Sequence, residues 1–135
     1  MKSKKVILDT NLWISFLIKH DYSFLDKYIE KGKVKLVFSE ELIQEFLTVA
    51  TRPKFQKFFT NDDIQNIIQI FDYYGILIKV TSEVNICRDF KDNFLLNLAI
   101  DGNADYLVSG DEDLLEIKNI QETKILTIRE LKKEL

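Results

Sequence analysis

Five short, mostly apolar runs punctuate this chain: Lys5-Val6-Ile7-Leu8, Val34-Lys35-Leu36-Val37-Phe38, Ile76-Leu77-Ile78, Tyr106-Leu107-Val108 and Lys124-Ile125-Leu126. Runs in which neighbouring positions are apolar leave a strand no polar face, so such strands are covered on both sides. The segments between them carry helical spacing. Leu12, Trp13, Phe16 and Leu17 predict a helix over 12–18, broken at His20-Asp21, with Thr10 or Asn11 as its cap. Phe24, Leu25, Tyr28 and Ile29 predict a second helix closed by Gly32. A third helix runs from Glu40 to about Thr51, capped by Ser39 and stopped before Pro53. Thr60 caps a fourth with an apolar stripe of Ile64, Ile67, Ile68 and Phe71, ending at Gly75. Asp92 opens a helix carrying Leu95, Leu96 and Ala99 and ending at Gly102-Asn103; Leu114-Leu115 begins a short one, and Thr127 caps a last one through Leu131. Phe55, Phe58 and Phe59 suit a short helical or irregular packing segment, and 79–90 has no clear period and reads as loop with at most a small extension of the third strand. Short buried strands alternating with helices predict an α/β fold with a central parallel sheet of about five strands.

A length of 135 residues suits one domain, read as 1–135, with a real core. Four glycines and one proline leave no material for a low-complexity linker. The single cysteine, Cys87, allows no internal disulfide and no zinc cage, and it reads as a small buried or loop residue. No apolar run reaches the roughly 18 residues of a membrane span, and the basic start is too short for a signal peptide, so a cytoplasmic protein is expected. The net charge of −3 argues at first against a nucleic-acid partner. Charge position matters more than its sum. Arg52, Lys54 and Lys57 form a small basic group with no acid between them, readable as phosphate contacts or as a solvated patch.

The acids fall at repeated places. Asp9 follows the first strand directly, where open α/β sheets hold their ligands. On the third helix, Leu42, Ile43, Phe46, Leu47, Val49 and Ala50 share one arc; Glu45 lies at its border. Asp92 heads a helix on that helix's apolar side, and Asp111, with Asp113 two residues on, follows the fourth strand. Each has a plain alternative: a turn acid for Asp9, a surface residue for Glu45, an N-cap for Asp92, a turn and helix start for Asp111 and Asp113. Gathered together they would repel unless a cation held them. Oxygen donors without His or Cys suit Mg²⁺ or Mn²⁺ rather than zinc, and such an ion suits phosphodiester hydrolysis.

Four stretches together carry a family resemblance. Val6-Ile7-Leu8-Asp9-Thr10-Asn11, Ser39-Glu40-Glu41-Leu42-Ile43-Gln44-Glu45-Phe46, Arg88-Asp89-Phe90-Lys91-Asp92-Asn93 and the run from Ala104 through Ser109-Gly110-Asp111-Glu112-Asp113 to Leu115 resemble the PIN-domain nucleases, most of all the toxin branch of bacterial toxin–antitoxin pairs (VapC-like). The resemblance implies a three-layer α/β/α sandwich and a metal-dependent endoribonuclease using Mg²⁺ or Mn²⁺. It implies that Asp9, Glu45, Asp92 and Asp111 are the catalytic acids, and that Asp9, Asp92, Asp111 and the additional acid Asp113 serve the metal. Asn11 and Ser109 match small polar positions that orient a carboxylate or a water. Arg52-Pro53-Lys54-Phe55 resembles the segment after the second acid. Phe90 departs from the pattern, standing where a proline is expected. The implied partners are RNA, a cognate antitoxin and a second copy in a homodimer. For self-association the aromatic candidates are Trp13, Phe16, Phe24 and Tyr28, which read equally as core.

Two other readings follow from the same residues. A non-catalytic PIN-fold module would hold RNA or protein without cutting. An aspartyl phosphatase would need a second acid two residues after its nucleophile, and that position is Asn11.

Overall fold

The computed structural model describes residues 3–19, 23–58, 60–87 and 92–135, with backbone only at 16, 17, 19, 23–26, 67, 70–72 and 74. The chain runs β1 (Lys4–Leu8), α1 (Thr10–Lys19), α2 (Ser23–Glu30), β2 (Val34–Phe38), α3 (Glu40–Ala50), a 3₁₀ turn (Pro53–Phe55), α4 (Asn61–Tyr74), β3 (Gly75–Leu77), α5 (Asn93–Asp101), β4 (Tyr106–Val108), α6 (Glu112–Leu115), β5 (Asn119–Ile120), β6 (Thr123–Leu126) and α7 (Ile128–Glu134). The expected break at His20-Asp21, the position of Phe59 and the loop through Phe90 lie outside the described residues.

The strands form one sheet in the order β3-β2-β1-β4-β6-β5, flanked by helices as the α/β reading requires. The pairs from β3 through β6 are parallel, and β5 alone runs antiparallel, against β6. The five expected strands are present. The sixth, β5, was not expected because it has two residues and turns through Gln121-Glu122 instead of an Asn-Gly signal. Gln121 takes the positive φ of 50° that such a tight hairpin asks of its first turn residue. From β1 the chain builds outward to β2 and β3, then returns to lay β4 on the other side of β1. The carboxyl ends of β1 and β4 therefore border the crevice where strand order reverses, the usual ligand site of such sheets.

Burial explains the unbroken apolar runs. Val6, Ile7, Leu8, Leu36, Val37, Phe38, Leu107 and Val108 are all buried although neighbours point to opposite faces, so both faces are covered. The edge strand β3 differs, with Leu77 63% exposed. Trp13 is buried and its ring lies 5.8 Å from that of Phe38, and half-buried Tyr28 packs on the core. Those two aromatics serve the core; the side chains of Phe16 and Phe24 lie outside the description.

Helix ends follow local chemistry. The Ser39 hydroxyl accepts the Leu42 amide at 3.1 Å, and Gly32 (φ 70°) closes α2 with its amide on Ile29 and that of Lys33 on Tyr28. Thr127 caps α7 in a reciprocal box with Glu130, which carries that helix past the expected Leu131 to Glu134. Among the described residues no helix is long and apolar enough to cross a membrane.

Candidate functional site

Asp9 sits where β1 becomes α1. Its amide still belongs to the sheet, donating to the Val108 carbonyl at 3.1 Å, while its carbonyl accepts the Trp13 amide and opens the helix. One carboxylate oxygen accepts the Leu12 amide at 2.9 Å, so Asp9 itself caps α1, in the role expected of Thr10 or Asn11. The other oxygen accepts the Ser109 hydroxyl at 2.5 Å. Ser109 can reach it because β1 and β4 pair in parallel with Leu8 opposite Val108, which sets the next residues side by side. The same Ser109 oxygen accepts the Asp111 amide at 2.9 Å, so one buried hydroxyl ties both acids together. Asp9 is 6% exposed, and burial pushes its carboxyl above the ordinary range. The Ser109 hydroxyl opposes that rise most, then the Leu12 and Gly110 amides, while the negative charge of Asp111 adds to it.

Asp111 caps the single-turn helix α6, accepting the Asp113 amide at 2.9 Å. Asp92 occupies the N-cap position of α5 but makes no side-chain capping hydrogen bond, so capping does not account for it. Glu45 projects from the flank of α3 as an exposed residue, consistent with its place at the wheel border.

These elements close around a small cleft of about 60 Å³ lined by Asp9, Thr10, Asn11, Glu45, Asp92, Phe94, Leu95, Asp111 and Leu114. At roughly 30 Å³ per water it has room for only a few solvent molecules. Asp9, Asn11 and Asp111 also wall a broader depression of about 320 Å³ with Leu12 and Gly110, a size that begins to admit small ligands. Four of the expected acids and Asn11 thus meet at one place. Ser109 stands behind Asp9, and Asp113 lies one step back along α6, outside the lining. Arg52, Lys54 and Lys57 are exposed beyond the end of α3 and line neither space; Lys54 and Lys57 lie over the rings of Phe55 and Phe58 at 5.1 and 5.2 Å. Sequence reasoning missed Thr10 and Phe94 as lining residues. Thr10 is buried with its hydroxyl lacking a hydrogen-bond partner among the described residues, and only its position after Asp9 could have flagged it.

A PIN domain profile matches residues 5–113, a span that contains all five acids. The chain belongs to the PIN domain family. It is 30% identical over 131 residues to the uncharacterized protein MJ1680 of Methanocaldococcus jannaschii, covering 94% of this chain and 82% of that one. Its fold is similar to a chain in the crystal structure of VapBC2 from Rickettsia felis bound to a DNA fragment from their promoter. That match has a TM-score of 0.53 at 17% identity and covers 90% of this chain and 96% of the other. Profile and shape thus agree on the fold.

Proposed function

We propose that this PIN domain is a divalent-metal-dependent endoribonuclease, acting as one unit over 1–135 and serving as the toxin of a toxin–antitoxin pair in the cytoplasm. The observation that carries the reading is that four carboxylates from separate chain segments line one cleft of about 60 Å³ at the sheet's switch point. Asp9 and Asp111 also cap helices, and Glu45 and Asp92 reach the same wall from α3 and the head of α5. The toxin role and the antitoxin partner rest on the family and on the VapBC2 description of the structural neighbour; a homodimer is part of the same proposal.

The donor set fits a hard dication in kind: every polar group at the cleft is an oxygen or an amide, and Thr10 adds a buried hydroxyl without a partner among the described residues. Among those residues no three acids, histidines or cysteines are gathered closely enough to ligate one ion directly. Asp9, Asp92 and Asp111, with Asp113 behind them, are the residues that would hold Mg²⁺ or Mn²⁺, ions that keep part of their water shell. Such an ion, when bound, supplies charge stabilisation on the attacked phosphate and a more acidic water. The chain's own contribution is positional. Ser109 and the Leu12 amide fix both oxygens of Asp9, Asn11 faces both the cleft and the broader depression through which a phosphodiester can approach, and Glu45 stands at the rim to take a proton from attacking water. In the hydrolysis the water oxygen bonds to phosphorus as the bond to the leaving ribose oxygen breaks, and that oxygen takes up a proton. Arg52, Lys54 and Lys57 hold phosphates of the same strand away from the cut.

Asp9→Asn is the deciding variant. It is expected to lose Mn²⁺-dependent cleavage of RNA, and the thermal upshift given by Mn²⁺, while keeping its circular dichroism and cooperative unfolding. Undiminished cleavage by the purified variant overturns the proposal. Wild-type protein that binds RNA with Mn²⁺ present but never cuts it favours the non-catalytic module.

A further inference from the structure

The segment 79–87, which follows the edge strand β3, alternates exposed and half-buried residues over 79–84 like a strand, yet pairs with no strand among the described residues. Val80 and Val84 pack on the core while Lys79, Thr81 and Glu83 face solvent. Its amides must go somewhere, and four of them, those of Thr81, Ser82, Val84 and Cys87, go to side chains of α5. Asp101 accepts the amides of Thr81 and Ser82 at 2.6 and 2.8 Å, and the Ser82 hydroxyl at 2.6 Å. Asn97 accepts the Val84 amide at 2.8 Å. Asn93 accepts the Cys87 amide at 3.0 Å, between residues that are both buried. Residues 93, 97 and 101 are four apart, so they form one stripe along the helix. The segment runs along that stripe in the opposite direction, tied at three levels.

Only the last rung touches the head of α5, and Asn93 is the residue immediately after Asp92. We propose that Asn93 is a positioning residue of the acidic cleft: by gripping the Cys87 backbone it sets the place of Asp92 on the cleft wall. The inference rests on reading that cleft as a metal site. The outer rungs at Asn97 and Asp101 hold the segment, whereas the Asn93 rung holds the segment and the acid together. Groups that fix a ligating residue from behind are costly to remove even though they touch no metal.

The test compares Asn93→Ala, Asn97→Ala and Asn93→Asp in the full chain, by amide exchange, Mn²⁺ titration and the carboxyl ¹³C resonance of Asp92 without metal. Asn97→Ala is expected to speed exchange at Val84 about tenfold and to leave both the Mn²⁺ midpoint and the Asp92 resonance unchanged. Asn93→Ala is expected to speed exchange at Cys87 similarly, to move the Asp92 resonance and to weaken Mn²⁺ by about 10- to 100-fold. Asn93→Asp keeps an acceptor and restores Cys87 protection. Should Asn93→Ala not fold, wild-type protein gives the reciprocal measurement: Mn²⁺ must slow exchange at Cys87 and not at Val84. An unmoved Asp92 resonance in Asn93→Ala, an equal shift in Asn97→Ala, or no effect of bound Mn²⁺ on Cys87 overturns the inference. Wild-type protein indifferent to Mn²⁺, but with Asp92 moved in Asn93→Ala alone, overturns the metal reading and leaves the positioning role standing.

Discussion

Ser109→Ala tests how the fold keeps a buried carboxylate at the end of β1. Ser109 is 1% exposed and makes two hydrogen bonds at the site, donating to Asp9 and accepting from the Asp111 amide. A hydrogen bond to a charged group contributes about 1.5–3 kcal/mol and a neutral one about 0.5–1.5. The variant loses both, so a cost of roughly 2–4 kcal/mol is expected, out of a total stability on the order of 5–15. For a domain of this size that lowers the melting temperature by roughly 6–15 °C. The pH dependence is the sharper part. Asp9 has a folded pKa raised above its unfolded value, so the metal-free fold gains stability as pH falls through that raised pKa towards the unfolded one. Removing the Ser109 donor raises the folded pKa further. The cost is therefore greatest where Asp9 is ionised in both proteins. It narrows as pH falls and the variant's Asp9 takes its proton, and it levels off once the wild type's Asp9 is protonated as well. Denaturant unfolding in chelator-treated buffer, repeated from neutral pH downward, reads this directly. In an Asp9→Asn background the same substitution should cost less by about 0.5–3 kcal/mol. A cost that is flat with pH and equal in both backgrounds refutes the reasoning, because Ser109 would then be packing and nothing more.

Two further expectations use groups away from the cleft. Asp101 is held below the usual carboxylate range, chiefly by the Ser82 hydroxyl and then by the Ser82 and Thr81 amides. Its contribution is present above the unfolded pKa and lost as pH falls through the folded one, so the protection of the Thr81 and Ser82 amides, relative to their intrinsic exchange rates at each pH, should fall below about pH 4. Asp101→Asn should remove that pH dependence and leave Val84 unaffected. At Gly102 an added Cβ would meet the Leu98 carbonyl and a Val37 methyl, each at 2.9 Å. Gly102→Ala should thus cost about 1–3 kcal/mol in denaturant unfolding, and a neutral result would mean that α5 can shift away from β2 freely.

The fold was legible where the information is local. Apolar runs named the five parallel-sheet strands, and Ser39, Thr60 and Thr127 marked helix starts, because a cap needs only a side chain and the amide three residues on. What escaped had its cause elsewhere in the chain. The β5 strand is two residues long and exists by pairing with β6. The extended segment 79–87 has no clear sequence period because what ties it down is distant: four of its amides bond to α5 side chains up to 20 residues away in sequence. The acids were legible as a set but not in their secondary roles: that Asp9 would cap α1 and also bind Ser109 cannot be read from either residue's neighbours.

That double role bears on why the site stands between these two strands. The contact from Ser109 to Asp9 spans 100 residues and exists only through the pairing of Leu8 with Val108. A slip of one residue would turn Ser109 to the other face and leave Asp9 buried without its donor. The apolar residues before each acid therefore do more than fill the core. Ile7, Leu8, Leu107 and Val108 lock the register that makes a desolvated carboxylate tolerable, so changes in them should register at the cleft as well as in stability. Ile7→Val removes one methylene at 0% exposure and should cost about 0.5–1.5 kcal/mol. If the register argument holds, the Ser109→Ala cost measured in that background keeps its pH dependence, because the strand pairing is intact. Loss of that dependence would show the pairing to be looser than the shared hydroxyl requires.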